Sequence, residues 1–517
     1  TSRVIAEGLR VTAEELRQTN TSEAIQNAET ATNEANTARD LATEIANNPD
    51  KIVDDYWWKY NPTTKVYENT NIRAKGDAGA GATVVQTTGT SLDDVMSQKA
   101  ITDNFTQNGG STKTLKQVDD GVLELSSEIE LLKGVPEVFG YRYLKGQADD
   151  KVEIVNDLIY DTTGIAPAGS KRKKLLDKMR PYQCNHDGTN KEYLSDDVRL
   201  KIGYTPSSLT DPLKLQMVNL PEFYYRSFEL DGYCYVLFCE QAPETIMPFA
   251  DPTQWKKVSQ CGYPRYRGNV VNIGGVNKLC VYSGVNSTAS TSLINFQIYA
   301  KNTNANATVT PYFIYEAISY LMVLELGRHN AQAFFAGVTA AGATYANAAK
   351  TGVTDTLNTP SGEVSVEYEV GKFTKQFRWR FIECVYGQMW NFLTGVYYKY
   401  DAGINLNKVY ITRDLSKINT NSNTDGYVYA GNTLIDNGYV KEFIPGTIIA
   451  GELGGSTTTY KSDYNYTSNS PTTRCALVGG DSDYGGFAGL FYFDSYYAPS
   501  YSDVSIGASL VLPDITA

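Results

Sequence analysis

Only two histidines, His186 and His329, occur in the 517 residues, so chemistry built on imidazole has few candidates. The seven cysteines (Cys184, Cys234, Cys239, Cys261, Cys280, Cys384 and Cys475) form no CxxC pair. A zinc site needs clustered thiolates or imidazoles, and this spacing offers none. An odd count favours buried free thiols and folding in a reducing cytosol over a disulfide framework. No run of about 18 apolar residues exists, so no membrane-spanning helix is expected. Positive charge is in deficit, with 46 Lys and Arg against 58 Asp and Glu and a net charge of −12. A nucleic-acid backbone needs a basic face, so it is not expected as the partner. Thr1 opens no basic and then apolar leader, and no secretory signal is expected at this end. Aromatic residues are missing altogether from residues 1–55.

What is present is unevenly spread. Tyrosine numbers 38, against 18 Phe and 5 Trp, and the tyrosines gather toward the C-terminus. The length suits roughly three or four domains of about 150 residues. With 42% hydrophobic and 20% charged residues, at least part of the chain buries a core. The texture is that of a thin stalk followed by an aromatic-rich head. The expected class is α+β: coiled-coil stalk segments with a small β unit, then a larger head.

Residues 1–56 read as the first stalk segment. Ile5, Leu9, Thr12 and Leu16, and later Ala28, Ala31, Ala35, Ala38, Ala42 and Ile45, step by three and four. That spacing averages 3.5 and predicts a left-handed supercoil. An alanine seam buries little, so a lone helix of this kind is marginal and association is the functional reading. Residues 57–83 read as a small β unit and a glycine joint, with Tyr56-Trp57-Trp58-Lys59-Tyr60 and Val66-Tyr67 as short aromatic strands about Asn61-Pro62. Residues 84–134 read as a second coiled coil. Leu115, Val118, Val122, Leu125, Ile129 and Leu132 step three and four without exception, and Gly134 with Pro136 supplies the stop.

Residues 135–215 read as a mixed connector and 216–517 as the head. Lys171, Arg172, Lys173 and Lys174 are expected to form a solvated helix face. Tyr233 to Cys239 is strongly β in composition, and Tyr312 to Arg328 is the best helix, with Ile314, Ala317, Ile318, Leu321 and Leu324 on one face. His329 follows at the helix end, where a structural capping role is expected.

Several segments together carry a family resemblance: YFIYEAISYLMVLELGRHNAQ (312–332), RWRFIECVYGQMWNFLTGVYYKY (378–400), KVYITR (408–413), GGSTTTYKSDYNY (454–466) and RCALVGGDSDYGGFAGLFYF (474–493). In this order they resemble the C-type-lectin-like fold of the formylglycine-generating-enzyme type, above all the variable proteins of diversity-generating retroelements. The N-terminal half, through WWKYNPTTKVYENTNIRAKGDAG (57–79) and VQTTGTSLDDVMSQKAIT (85–102), resembles tail-fibre proteins of Bacteroides phages. In the retroelement family, error-prone copying at adenines turns AAY asparagine codons into Asp, Ser, Tyr, Gly, Phe and others. The resemblance therefore implies a variable cassette at about 479–512. Its variable, receptor-binding positions would be Asp481, Ser482, Asp483, Tyr484, Phe487, Asp494, Ser495, Tyr496, Tyr497, Tyr501, Asp503 and Ser505. Gly479, Gly480, Ala488, Gly489, Leu490 and 506–510 would be framework.

The residues themselves point the same way. Val504, Ile506, Ala508, Leu510 and Leu512 alternate, which predicts a last strand with one buried face, Asp503, Ser505 and Ser509 facing outward. A loop over 494–503 carries Tyr496, Tyr497 and Tyr501. Tyrosine mixed with Ser, Asp and Gly is the composition of a paratope, because Tyr gives contact area with few rotors. The bland alternative places these tyrosines in a β-rich core or at a subunit interface.

The resemblance implies a non-enzymatic adhesin at the distal end of a phage tail fibre, in the virion. It would be a homotrimer, held by other tail or baseplate proteins at its N-terminal end, that binds a host cell-surface receptor, glycan or protein. An alanine seam also permits a dimer. No nucleic acid, membrane insertion, cofactor or metal is expected. The alternative is a tail-associated polysaccharide-degrading enzyme with paired carboxylates, Asp481 with Asp483 or Asp494 with Asp503. A calcium-dependent lectin is a third reading, but Glu-Pro-Asn, Gln-Pro-Asp and Trp-Asn-Asp motifs are all missing.

Overall fold

The structure, a computed structural model, describes residues 51–53, 56–61, 64–73, 135–158, 167, 169–247, 251–339 and 350–514. The two expected coiled-coil seams and the glycine joint lie outside these residues. The chain divides into two compact units, residues 1–112 and 113–517.

In the first unit, Lys51–Val53, Tyr56–Asn61 and Val66–Arg73 form a three-stranded antiparallel meander. Tyr60 pairs with Tyr67 across the turn, and their rings meet edge to face at 5.3 Å. Aromatic cross-strand pairs of this kind contribute about 0.2–1 kcal/mol each.

The α+β class does not hold. The described residues are mostly β, with 40% strand against 13% helix, and no coiled-coil stalk is among them. Three sheets dominate the second unit. A five-stranded sheet runs in the order Lys256–Val258, Phe223–Leu230, Tyr233–Cys239, Phe139–Leu144, Glu153–Val155. A six-stranded sheet runs Thr308–Val309, Leu510–Pro513, Cys261–Pro264, Lys214–Leu220, Pro181–Asn185, Glu192–Tyr193. The largest runs Val428–Thr433, Leu406–Ile411, Trp390–Asp401, Arg474–Gly479, Gly489–Asp494, Tyr464–Tyr466, Gly438–Phe443, Ala450–Leu453, with Ile506–Gly507 beside Trp390–Asp401. Its two ends curl toward one another: Thr433 Oγ1 donates to the Ala450 carbonyl at 2.6 Å. The sheet is thus close to a barrel, which removes most of its open edge.

The Tyr312–Leu326 helix is buried on every side rather than on one face; only Glu325 escapes. It is apolar nearly all round, and such a helix belongs inside. Tyr315 Oη donates to the Leu490 carbonyl in the largest sheet, while the Tyr320 ring meets Tyr225 of the five-stranded sheet at 5.6 Å. Gly327, at φ 75°, ends the helix in the left-handed conformation that glycine adopts without cost. The capping role expected of His329 therefore belongs to Gly327. His329 is instead buried beside Tyr143, Phe491 and Phe443, and burial drives its imidazole well below the usual range.

Two further expectations change. The basic run is not a solvated face, because Arg172 is fully buried and pairs with Asp157 at 3.0 Å. The last strand does not alternate from 504: Val504 is 58% exposed, Ser509 is buried, and the strands are only Ile506–Gly507 and Leu510–Pro513. These strands pair within two different sheets, so both of their faces are covered. All seven cysteines are free and buried.

Candidate binding surface

The largest sheet has two faces, and the cassette strand contributes to both. From Phe491 to Phe493 the side chains alternate, after a register shift near Gly489. Leu490, Phe491 and Phe493 join the core around the Tyr312–Leu326 helix. Tyr492 joins a second core on the other face with Trp390, Phe392, Cys475 and Leu477. The strand pairs antiparallel with Arg474–Gly479 and parallel with Tyr464–Tyr466, setting Asp494 beside Leu477 and Tyr466.

Glycine makes the turn between these strands possible. Gly479 and Gly480 have φ of 90° and 72°, and a Cβ on Gly480 would meet the Ala488 Cβ at 2.7 Å. The loop 481–488 then leaves the sheet and returns. The second cassette loop, 495–505, is tied down by its backbone. Ser495 N–H donates to the Tyr466 carbonyl at 2.9 Å, and Cys475 N–H donates to the Tyr497 carbonyl at 3.0 Å. Ser290 N–H donates to the Asp503 carbonyl at 2.8 Å, and Trp390 N–H to that of Ser505 at 3.0 Å. These hydrogen bonds fix the main chain of the loop on the frame.

The twelve positions do not share one environment. Asp481, Ser482, Asp494 and Ser495 are buried. Tyr484, Tyr497, Tyr501, Asp503 and Ser505 are half-buried, and Asp483 is exposed. Phe487 and Tyr496, at 42% and 43% exposure, are the most open aromatics of the cassette. Asp503 Oδ1 accepts from both Ser505 N–H and Ser505 Oγ, at 3.0 and 2.8 Å, so these two side chains are spent on the turn.

The aromatic rings form runs that reach beyond the cassette. Trp390, Tyr484 and Tyr492 pack at 4.5–5.6 Å. Tyr464 lies 5.9 Å from Tyr492 and 4.7 Å from Phe487, which also meets Tyr439 at 5.5 Å. Tyr466 meets Tyr496 at 5.5 Å; Tyr496 meets Tyr497, and Tyr497 stacks on Tyr501 at 4.0 Å. Sequence reasoning missed Tyr439, Tyr464, Tyr466 and Trp390. The signal for two of them was available: Tyr464 and Tyr466 flank a buried Asn465 with the period of two that sets both on one sheet face.

Electrostatically the surface is one-sided. From Cys475 to the C-terminus the chain has no Lys, Arg or His, against five Asp. Burial pushes the Asp494 carboxyl up to about 7, against the Tyr496 N–H, which donates to Oδ1 at 2.7 Å and favours the charged form. Burial likewise raises the Tyr484 hydroxyl to about 12, and it raises those of Tyr466, Tyr497 and Tyr501. Among the described residues no group of three or more His, Cys, Asp or Glu is placed to hold a metal ion. Cys384 and Cys475 are both buried, where burial raises their thiols far above the range of a reactive thiolate.

Compared with models of known protein families and with curated protein sequences, the chain gives no significant match.

Proposed function

We propose that this chain is an adhesin of a phage tail fibre and that its C-terminal cassette grips a receptor on the host cell. The observation that carries the reading is the way both cassette loops spread over one face of the largest sheet. Tyr484 of one loop packs on Trp390, and Tyr496 of the other packs on Tyr466. Exposed rings on a pinned backbone give contact area at low entropic cost. Phe487, Tyr496 and Asp483 reach solvent, and Tyr484, Tyr497 and Tyr501 do so in part. Within the proposal these six make the contact. Asp481, Ser482, Asp494 and Ser495 shape the loops from below, and Asp503 with Ser505 holds the turn. The chain would act as a homotrimer, with multivalency lifting weak single-site affinity.

The paired-carboxylate alternative fits less well. Asp481 and Asp494, one from each candidate pair, are buried, whereas a hydrolase needs both carboxyls open to substrate.

Deep sequencing of the 3′ end of this gene in one phage population tests the proposal. Substitutions concentrated at the twelve positions, with 488–491 and 506–510 constant, are the expected result. Variation spread evenly over 216–517 would overturn it.

A further inference from the structure

The adhesin reading leaves the chemistry of the receptor open, and Asp494 narrows it. Its carboxylate is 4% exposed. Oδ1 accepts the Tyr496 N–H; Oδ2 receives no hydrogen bond among the described residues. The titratable side chains around it are Cys475, Tyr398, Tyr466, Tyr484, Tyr492, Tyr497 and Tyr501. They come from its own strand, from the two strands beside it, from Trp390–Asp401 beyond one of these and from both cassette loops, and none is a cation. Neither a lysine nor an arginine contributes to the environment of the carboxyl. A buried carboxylate without a counter-ion is costly. Here Asp494 lies beside Tyr466 on the paired strand and accepts from Tyr496, among rings whose faces are themselves negative and in a stretch of chain with no basic residue.

We propose that the cassette face binds an organic ammonium group, held over the rings of Tyr466, Tyr484 and Tyr496 with the Asp494 carboxylate behind them as counter-charge. The inference rests on the adhesin reading and adds the ligand class. Rings supply cation–π attraction, which is strongest where the cation is desolvated. The carboxylate acts through a medium of low effective dielectric, where charge pairs are stronger than in water. The arrangement disfavours anionic receptors, since Asp483 and Asp503 add negative charge at the rim. The same chemistry could come from a lysine side chain, an amino sugar or a choline headgroup.

The test titrates the full chain with choline and with its neutral isostere 3,3-dimethylbutan-1-ol, by calorimetry. Choline is expected to bind at least about tenfold more tightly, the size of one desolvated cation–π contact. Asp494→Asn is expected to reduce that preference several-fold, the share of the rings remaining, while circular dichroism and melting temperature show a folded chain. Tyr496→Ala, at an exposed ring, should weaken choline binding without a folding cost. Equal binding of choline and the isostere, or a preference undiminished in Asp494→Asn, would overturn the inference. Parallel titrations with Nα-acetyl-lysinamide, glucosamine and phosphocholine assign the source by their order, and failure of all three to exceed the isostere counts against it. Adhesion to cells that excess choline leaves untouched sinks the ammonium inference and spares the adhesin. Choline binding by a chain that adheres to no cell in a Bacteroides panel supports the ammonium site and sinks the adhesin.

Discussion

Asp463 Oδ2 accepts the backbone N–H of Phe491 at 2.6 Å, with both groups buried. This bond ties the residue before the Tyr464–Tyr466 strand to the middle of the cassette strand, under the proposed contact surface. The space is tight: a Cβ on Gly489 would lie 1.9 Å from Asp463 Oδ1. Gly489→Ala must therefore displace the carboxylate or the strand. Overpacking of this kind costs about 1–3 kcal/mol. Urea denaturation should show a loss in that range or above, with Gly485→Ala, at φ 51° but in open space, affecting stability less.

A pH dependence follows from Asp494. Its folded-state value near 7 stands above the unfolded carboxyl at about 3.9. The folded chain therefore binds more protons than the unfolded chain between these values, and stability falls as pH rises through that window. The contribution is level below about pH 4 and level again above about pH 7, with a difference of roughly 3–4 kcal/mol between the two plateaus. Asp494→Asn keeps an acceptor for Tyr496 N–H and cannot ionise. At pH 8 it should be more stable than the parent chain in urea denaturation, and at pH 4 about equal. A variant that is less stable at both pH values would contradict this sign.

Binding and folding should separate among the cassette aromatics. Phe487 and Tyr496 are open, so Phe487→Ala and Tyr496→Ala should shift stability by less than about 1 kcal/mol and weaken cell adhesion at least about tenfold. Tyr497 is half-buried, and its ring stacks on Tyr501 at 4.0 Å and meets Tyr496 at 5.1 Å. Tyr497→Ala should lower the melting temperature as well as adhesion. Loss of adhesion only in variants that also lose stability would place the surface in the core.

A buried polar cluster elsewhere in the second unit is expected to be indispensable. Asp355 accepts from Arg265 Nη2 at 3.0 Å, from Tyr266 Oη at 2.5 Å and from Ser283 Oγ at 2.7 Å. Asp355→Ala strands a buried guanidinium, and breaking such a pair costs about 3–5 kcal/mol. Chemical denaturation should show that loss, and Ser283→Ala a smaller one of about 1–3 kcal/mol.

Assembly has its own test. Light scattering of the full chain should give the mass of three chains, and removal of residues 1–134 should weaken association. A single-chain mass would retire the trimer.

The sequence by itself determined the strongly local features. The Gly479-Gly480 pair is one such feature, since φ of 90° and 72° against Tyr386 and Ala488 suits glycine, although in sequence the pair reads only as framework. The apolar run 312–326 specified a helix, and the lack of paired or clustered cysteines matches seven buried free thiols. Tertiary structure decided what is long-range. The mostly β character overturned the α+β reading, because many short strands, such as Lys256–Val258 or Glu192–Tyr193, have too few residues to show a period of two. Burial of Asp494 and exposure of Val504 also lay beyond sequence texture. A polar residue is buried or exposed according to which strands close over it, and those partners come from segments as distant as Tyr466 and Trp390. Alternation along one strand fixes two faces; only the packing of the other sheets and loops decides which face meets solvent.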